Sequence, residues 1–290
     1  MALFARKIKL RGITLLWGGG SPRAPPSLRL TQDAALAPTA QRLRGLILGV
    51  ITRGRTSMAH TPHLLLIPGL LCSAALWKAQ IRALSDIADV AVGDHTRHDS
   101  MREIANAILA TAPPRFALAG LSMGGYVACE IVRAAPERVT RLALLDTNAR
   151  ADAPERRAER LRLIALAEEG GAVRAQQELL PRLVHRARLS EQGLVDTVLQ
   201  MAIDTGLAAF KRQQAAIMAR PDNRSLLATI RCPTLVLVGR EDQLTPPALA
   251  EEIAAGIAGA RLEVIADCGH LSALERPDAV NRALRRWLVD

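Results

Sequence analysis

Phe116-Ala117-Leu118-Ala119-Gly120-Leu121-Ser122-Met123-Gly124-Gly125-Tyr126-Val127-Ala128-Cys129-Glu130-Ile131-Val132 is the stretch on which the fold turns. Its apolar start has the composition of a strand buried on both faces, and its second half that of a helix. Between them stands Gly-Leu-Ser-Met-Gly-Gly, residues 120–125, with one serine at the apex of the turn. The Gly-x-Ser-x-Gly frame has a mechanical reason. To lift its hydroxyl clear of a sheet, the serine backbone must bend sharply into a strained conformation. The neighbours two residues to either side then approach each other, and only small residues fit. Gly120 and Gly124 hold those places, and Gly125 lets the new helix pack closely. Frames this short recur by chance, so the strand-turn-helix setting is what gives this one weight.

Outward from this turn, strand-like and helix-like runs alternate. Residues 63–67 read as a continuous apolar strand ending at Pro68-Gly69, and 75–87 carry helical spacing. A short strand is expected at 90–92, followed by a polar loop to Ser100. Ser100 with Glu103 forms a capping box for a helix reaching about Thr111, which Pro113-Pro114 stop. Later strands are expected at 141–145, 234–238 and 262–265, and an amphipathic helix at 277–289 closes the chain. This order predicts an α/β fold: a mostly parallel, doubly wound sheet covered by helices on both faces. The rhythm breaks between Ala149 and Thr229, where no strand-like run occurs. Gly170-Gly171, Pro181, Gly193, Gly206 and Pro221 divide that stretch into about four helices. About 80 residues far exceeds a single crossover, so a helical cap at about 149–229, inserted between two strands, is the expectation.

Composition narrows the partners. The chain has 290 residues, mean hydropathy +0.12, 49% apolar and 2% aromatic residues, so its core must be built from Leu, Ala, Val and Ile. A net charge of +10 suggests nucleic acid or an anionic surface. However, ten of the 38 basic residues and one of the 28 acids, Asp33, lie in 1–57. The remaining 28 basic and 27 acidic residues nearly cancel, so no nucleic-acid partner is expected for 58–290. Segment 1–57 reads as a basic, disordered extension without a functional role. Its Arg-rich, acid-poor composition imitates an organellar transit peptide, but Gly18-Gly19-Gly20 and Pro22, Pro25 and Pro26 break any long amphipathic helix. Met58 as the natural start is the other reading. No apolar run approaches the ~18 residues of a membrane span. Cys72, Cys129, Cys232 and Cys268 are scattered without a C-x-x-C pair, which fits free thiols in a cytoplasmic compartment better than disulfides or a metal site. Cys129 and Cys268 are read as packing residues, although Cys268 stands beside His270.

A serine hydroxyl needs a base, and the base needs an orienting acid. In this architecture the chain order is serine, acid, histidine. Of six histidines, only His270 follows the last expected strand, on a loop opening at the same sheet edge as Ser122. Asp242, directly after the strand at 234–238, ranks first as the acid. Asp146, after the strand at 141–145, ranks second, and Asp267 is read as shaping the His270 loop. An oxyanion requires two donors. The N–H of Met123 is one, and position nominates the N–H of Leu70 as the other. Leu71 and Trp77, with Leu183, Met201 and Phe210 from the cap, are candidates for an apolar substrate pocket, with core packing the other reading for each.

Ile67-Pro68-Gly69-Leu70, Gly120-Leu121-Ser122-Met123-Gly124-Gly125, Gly239-Arg240-Glu241-Asp242 with Thr245-Pro246, and Gly269-His270 together resemble the α/β-hydrolase superfamily over residues 62–290. The resemblance is closest to small, cofactor-free, cap-bearing carboxylesterases such as the pimeloyl-carrier methyl ester esterases. It implies a serine esterase acting on a small acyl substrate, with no cofactor or metal. The same fold with lactonase, carbon–carbon hydrolase, perhydrolase or lyase-type activity, or a sensor that binds without turnover, are the alternatives. Two departures are visible. Pro68-Gly69 replaces the His-Gly of many relatives, and no opening β-hairpin is evident before His63, so the sheet is expected to begin at the relatives' third strand.

Overall fold

A computed structural model describes residues 7–10, 13–16 and 61–290. They fall into two units, divided between His60 and Thr61. In the first, β1 (Lys7–Leu10) pairs antiparallel with β2 (Ile13–Leu16). Otherwise the expectation of a disordered 1–57 lies outside the described residues.

The second unit is a six-stranded, wholly parallel sheet. Its strands are β3 (His63–Ile67), β4 (Asp89–Val92), β5 (Phe116–Leu121), β6 (Val139–Leu145), β7 (Thr234–Gly239) and β8 (Arg261–Ile265), in the spatial order β4-β3-β5-β6-β7-β8. Every connection between parallel neighbours must cross over the sheet, which is why helices separate the strands. The central strand β5 is buried along its whole length, as its apolar run requires, whereas the edge strands β4 and β8 are partly exposed. Alternate residues feed two cores. Leu64, Leu66, Ala117, Ala119, Leu121, Leu235 and Leu237 face one side with the C-terminal helix Pro277–Val289. Leu65, Ile67, Leu118, Leu142, Leu144 and Val236 face the other, beneath helices Met101–Thr111, Met123–Ala134 and Pro247–Gly256. Ser100 caps its helix through Glu103 N–H, donated to Ser100 Oγ at 3.2 Å.

Between β6 and β7 the chain is helical, with helices Arg156–Gly170, Ala172–Leu183, Gln192–Met218 and Arg224–Leu227. This is the cap. Leu163, Ala167, Ala175, Leu179, Leu183, Val198, Met201 and Phe210 join the first core, so the cap is packed onto the sheet-bearing body rather than hung from it. Helix Gln192–Met218 has the length and hydropathy of a membrane span. Gly206 leaves helical geometry in its middle, at φ 74° and ψ 166°, so two helices meet at a kink there. Two expectations change. The helix expected at 75–87 is a 3-10 turn, Ala74–Trp77, followed by Lys78–Leu84, because Trp77 departs from α geometry at the junction. Pro181 does not divide the cap; it lies in the last turn of Ala172–Leu183.

Candidate active site

Ser122 stands at the C-terminal end of β5 with φ 54° and ψ −115°, a strained conformation for a residue with a side chain. A Cβ on Gly120 would lie 2.2 Å from the Gly124 carbonyl oxygen, and one on Gly124 would lie 2.1 Å from that of Ile67. The turn therefore closes only with glycine at both places. Hydrogen bonds hold it from either side: Ser122 N–H donates to the Leu145 carbonyl at 2.9 Å, and Thr147 Oγ1 donates to the Ser122 carbonyl at 2.8 Å.

The loops after β7 and β8 bring an acid and a base to the same edge. His270 Nε2 lies 2.8 Å from Ser122 Oγ, and His270 Nδ1 lies 2.8 Å from Asp242 Oδ2. An ionised carboxylate can only accept, so Nδ1 carries the proton and bare Nε2 accepts from the serine hydroxyl. Asp242 also accepts from Leu244 N–H at 2.8 Å, Thr245 N–H at 2.9 Å and Thr245 Oγ1 at 2.7 Å. Both Asp242 and His270 are buried. Burial pushes the Asp242 carboxyl up, but the imidazole's charge and hydrogen bond and the Thr245 donors outweigh it and leave its pKa lowered. For His270, burial opposes the imidazolium, and Asp242 more than reverses this, so its pKa is raised.

Asp146, the second-ranked acid, does not bond the imidazole. At φ 46° it accepts from Gly239 N–H at 2.9 Å through Oδ1 and from the Ser272 hydroxyl through Oδ2. Burial, then the nearby Asp242, pushes its carboxyl up to about 8. Asp267 shapes its loop: its carbonyl accepts from Arg276 Nε at 2.8 Å. The Cys129 and Cys268 thiols are buried, and burial pushes both pKa values up, so they are poor nucleophiles. No cluster of metal-ligating side chains occurs among the described residues.

Among the described residues, no hydrogen bond engages the N–H of Leu70 or that of Met123. Met123 is the first residue of its helix, so its N–H has no intrahelical partner and faces the helix N-terminus. The loop carrying Leu70 is pinned by three contacts. Cys72 N–H donates to the Gly69 carbonyl at 3.1 Å, His95 Nε2 lies 2.9 Å from that same oxygen, and Leu71 N–H donates to Gln213 Oε1 of the cap at 3.2 Å.

A cavity of about 80 Å³ opens beside Ser122, lined at the strand edge by Leu70, Ser122, Thr245 and His270. Leu183 lines it as expected. Leu71, Trp77, Met201 and Phe210 do not. All four are fully buried in the core, because Leu71 turns inward at φ 57° and the other three pack beneath the sheet face and the cap. The apolar part of the wall comes from Leu121, Leu163, Leu179, Leu183 and Ile217, and beside it stand Arg156, Glu159, Arg160, Gln176, Arg182 and Gln214. These polar cap positions, and Thr245 as a shared partner of Asp242 and His270, were missed in the sequence. Thr245 had a signal, standing three residues after Asp242 in an Asx-type turn. The cap glutamines had none, because their helical faces alternate polar and apolar residues like any surface helix.

A family model described as the alpha/beta hydrolase family matches residues 64–283. RutD of Azorhizobium caulinodans, which carries the name of a carbamate hydrolase, is 30% identical over 246 residues, covering 78% of this chain and 90% of RutD. A pimeloyl-[acyl-carrier protein] methyl ester esterase of Neisseria meningitidis is 29% identical over 192 residues, covering 64% of this chain and 74% of the esterase. Among solved structures, a thermophilic esterase from Thermogutta terrifontis is similar at TM-score 0.71 and 31% identity, covering 78% of this chain and 89% of that one.

Proposed function

Because the chain belongs to the alpha/beta hydrolase family, we propose that it is a serine esterase that cleaves a small carboxylic ester through an acyl-enzyme. The continuous path from Ser122 Oγ through His270 to Asp242, with both links at 2.8 Å, carries this reading. Ser122 Oγ attacks the ester carbonyl while His270 Nε2 takes its proton. Asp242 holds the imidazole tautomer and stabilises the imidazolium. The N–H groups of Leu70 and Met123 receive the oxyanion, worth several kcal/mol of barrier when both point at it. His270 returns the proton to the departing alkoxide, and water then repeats the sequence on the acyl-enzyme. The similarity to RutD favours a second reading, a carbamate whose carbonyl meets the same atoms.

Short p-nitrophenyl esters and a fluorophosphonate probe test the assignment. Native protein is expected to turn over the esters and to be labelled at Ser122, and Ser122→Ala to do neither. Undiminished turnover by Ser122→Ala would remove Ser122 as the nucleophile.

A further inference from the structure

We propose that the acyl part of the substrate carries a second, anionic group, a carboxylate, received by Gln176 and Gln214 on the cap wall of the catalytic cavity. This rests on the esterase reading of the same site.

Two buried amides carry the argument. Gln176 is 1% exposed and lines the cavity, yet neither its Nε2 nor its Oε1 has a protein partner. Gln214 is fully buried and lines the same cavity. Its Oε1 accepts from Arg160 Nη1 at 3.0 Å, which fixes the orientation of the amide, and its Nε2 is left without a partner. Buried side-chain amides are nearly always hydrogen-bonded, so the free N–H groups of both point to a ligand with acceptor oxygens, while the free Gln176 Oε1 leaves room for a donor such as water beside it. Core packing does not account for them, because a hydrocarbon of equal shape would fill the same space without stranding a donor.

Charge selects among acceptors. The single carboxylate of Asp152 serves two guanidinium groups, Arg160 at 2.7 Å and Arg220 at 2.7 Å, with all three side chains mostly buried. Burial pushes the Asp152 carboxyl up, but the two arginines reverse this and leave it ionised. The two guanidinium groups outnumber the carboxylate by one charge; Arg160, donating to Gln214 Oε1, polarises that amide, and Arg220 lies over the Tyr126 ring at 4.4 Å. Arg182 is paired with Glu159. Arg156 has no carboxylate within 4.0 Å among the described residues and reaches only the Leu244 carbonyl, at 3.4 Å. The polar part of the wall thus carries more positive than negative charge beside free donors, a setting that favours a carboxylate over a neutral oxygen. At about 80 Å³ the cavity is far smaller than the ~300–1,000 Å³ of drug-sized sites. A chain of two or three carbons between the ester and the carboxylate is the scale that fits. The acyl part is assigned to this wall because it stays on the enzyme after the alcohol has left.

Three esters of one shape test this: monomethyl succinate, methyl succinamate and methyl 4-methylpentanoate, which end in a carboxylate, an amide and an isopropyl group. The expected kcat/KM for monomethyl succinate exceeds that for methyl 4-methylpentanoate by at least 100-fold and that for methyl succinamate by at least 10-fold. Gln176→Leu and Gln214→Leu are each expected to cut the first ratio at least 10-fold. A native ratio near one, or a ratio that both variants keep, overturns the proposal; equal rates on succinate and succinamate overturn its anionic part. Calorimetry on Ser122→Ala separates this from the esterase reading. If no ester is hydrolysed, saturable binding of monomethyl succinate that Gln176→Leu abolishes sustains the pocket while the esterase reading fails, and no binding overturns both.

Discussion

The strand edge and the cap wall face each other across one small cavity, and the acid and base of the one are in the opposite state to the two amides of the other. At the edge, Asp242 has four donors around two oxygens, and His270 is bonded at both ring nitrogens. On the wall, Gln176 has no partner at either amide atom and Gln214 lacks one at Nε2. A group whose partners are all internal is held in place before substrate arrives, which suits a step that must occur with any substrate. A group left open can be completed only from outside, which suits selection among substrates. On the proposed mechanism, the difference separates bond breaking from bond choice.

Removing the best-connected groups should therefore cost the most, whichever ester is used. Ser122→Ala is expected to lower kcat by about 10⁶-fold, the scale seen when a triad nucleophile is deleted. Asp242→Asn should follow at about 10⁴-fold, because an amide can stabilise the wrong tautomer. The pH profile adds direction. The proposed mechanism needs neutral His270, so kcat/KM should rise with pH and reach half its maximum above the ~6.5 of an ordinary histidine, since Asp242 raises that pKa. In Asp242→Asn the burial that disfavours the imidazolium is left with less opposition, and the midpoint should move down. A midpoint that stays put would show that Asp242 does not govern the imidazole.

Thr245→Val makes a finer cut. It removes one hydroxyl that donates to Asp242 Oδ2 and lies 3.2 Å from His270 Nδ1, while the two backbone donors remain. A loss of about tenfold in kcat with KM little changed is expected. A change in KM alone would move Thr245 to the substrate-binding side of the comparison.

The two regions also differed in how far the sequence disclosed them. Strand ends and tight turns obey strong local rules: Gly120 and Gly124 have no substitutes at 2.1–2.2 Å clearances, and chain order picks His270 out of six histidines. The alternation of apolar runs located every strand of the main sheet within two residues. The cap obeys no such rule. Its helices were countable from Gly170-Gly171 and Gly206, but which of their residues face the cavity depends on how they pack, and the periodicity of a helix does not encode that. Leu71 and Trp77 show the same limit from the other side. Their place in the sequence, beside the Leu70 loop, suggested a pocket, and the backbone turned both inward. Glutamine carries no sequence signal for function, so Gln176 and Gln214 became visible only as unsatisfied atoms.

Asp146 lies between the two states, and replacing it should produce the smallest catalytic change and the clearest thermodynamic one. It is buried beside the acid and bonded to Gly239 N–H and the Ser272 hydroxyl, but it touches neither nucleophile nor imidazole by a hydrogen bond. In the unfolded chain its pKa is near 3.8, and in the folded protein it is about 8. A raised folded-state pKa means the native state holds the proton more tightly. The associated stability is complete below the unfolded value, declines as pH climbs from about 4 to about 8, and is constant above that. Asp146→Asn keeps an acceptor for Gly239 N–H, turns the bond to the Ser272 hydroxyl around so that its oxygen accepts from the amide, and removes the titration. Its kcat/KM should stay within about threefold of native at pH 7. Urea unfolding at pH 5 and pH 8 should show native protein losing stability relative to the variant by at least ~1 kcal/mol across that interval. A constant difference between the two proteins would mean that Asp146 is ionised throughout. Asp242 would then share the site with a second negative charge, and its preference for His270 would need another explanation.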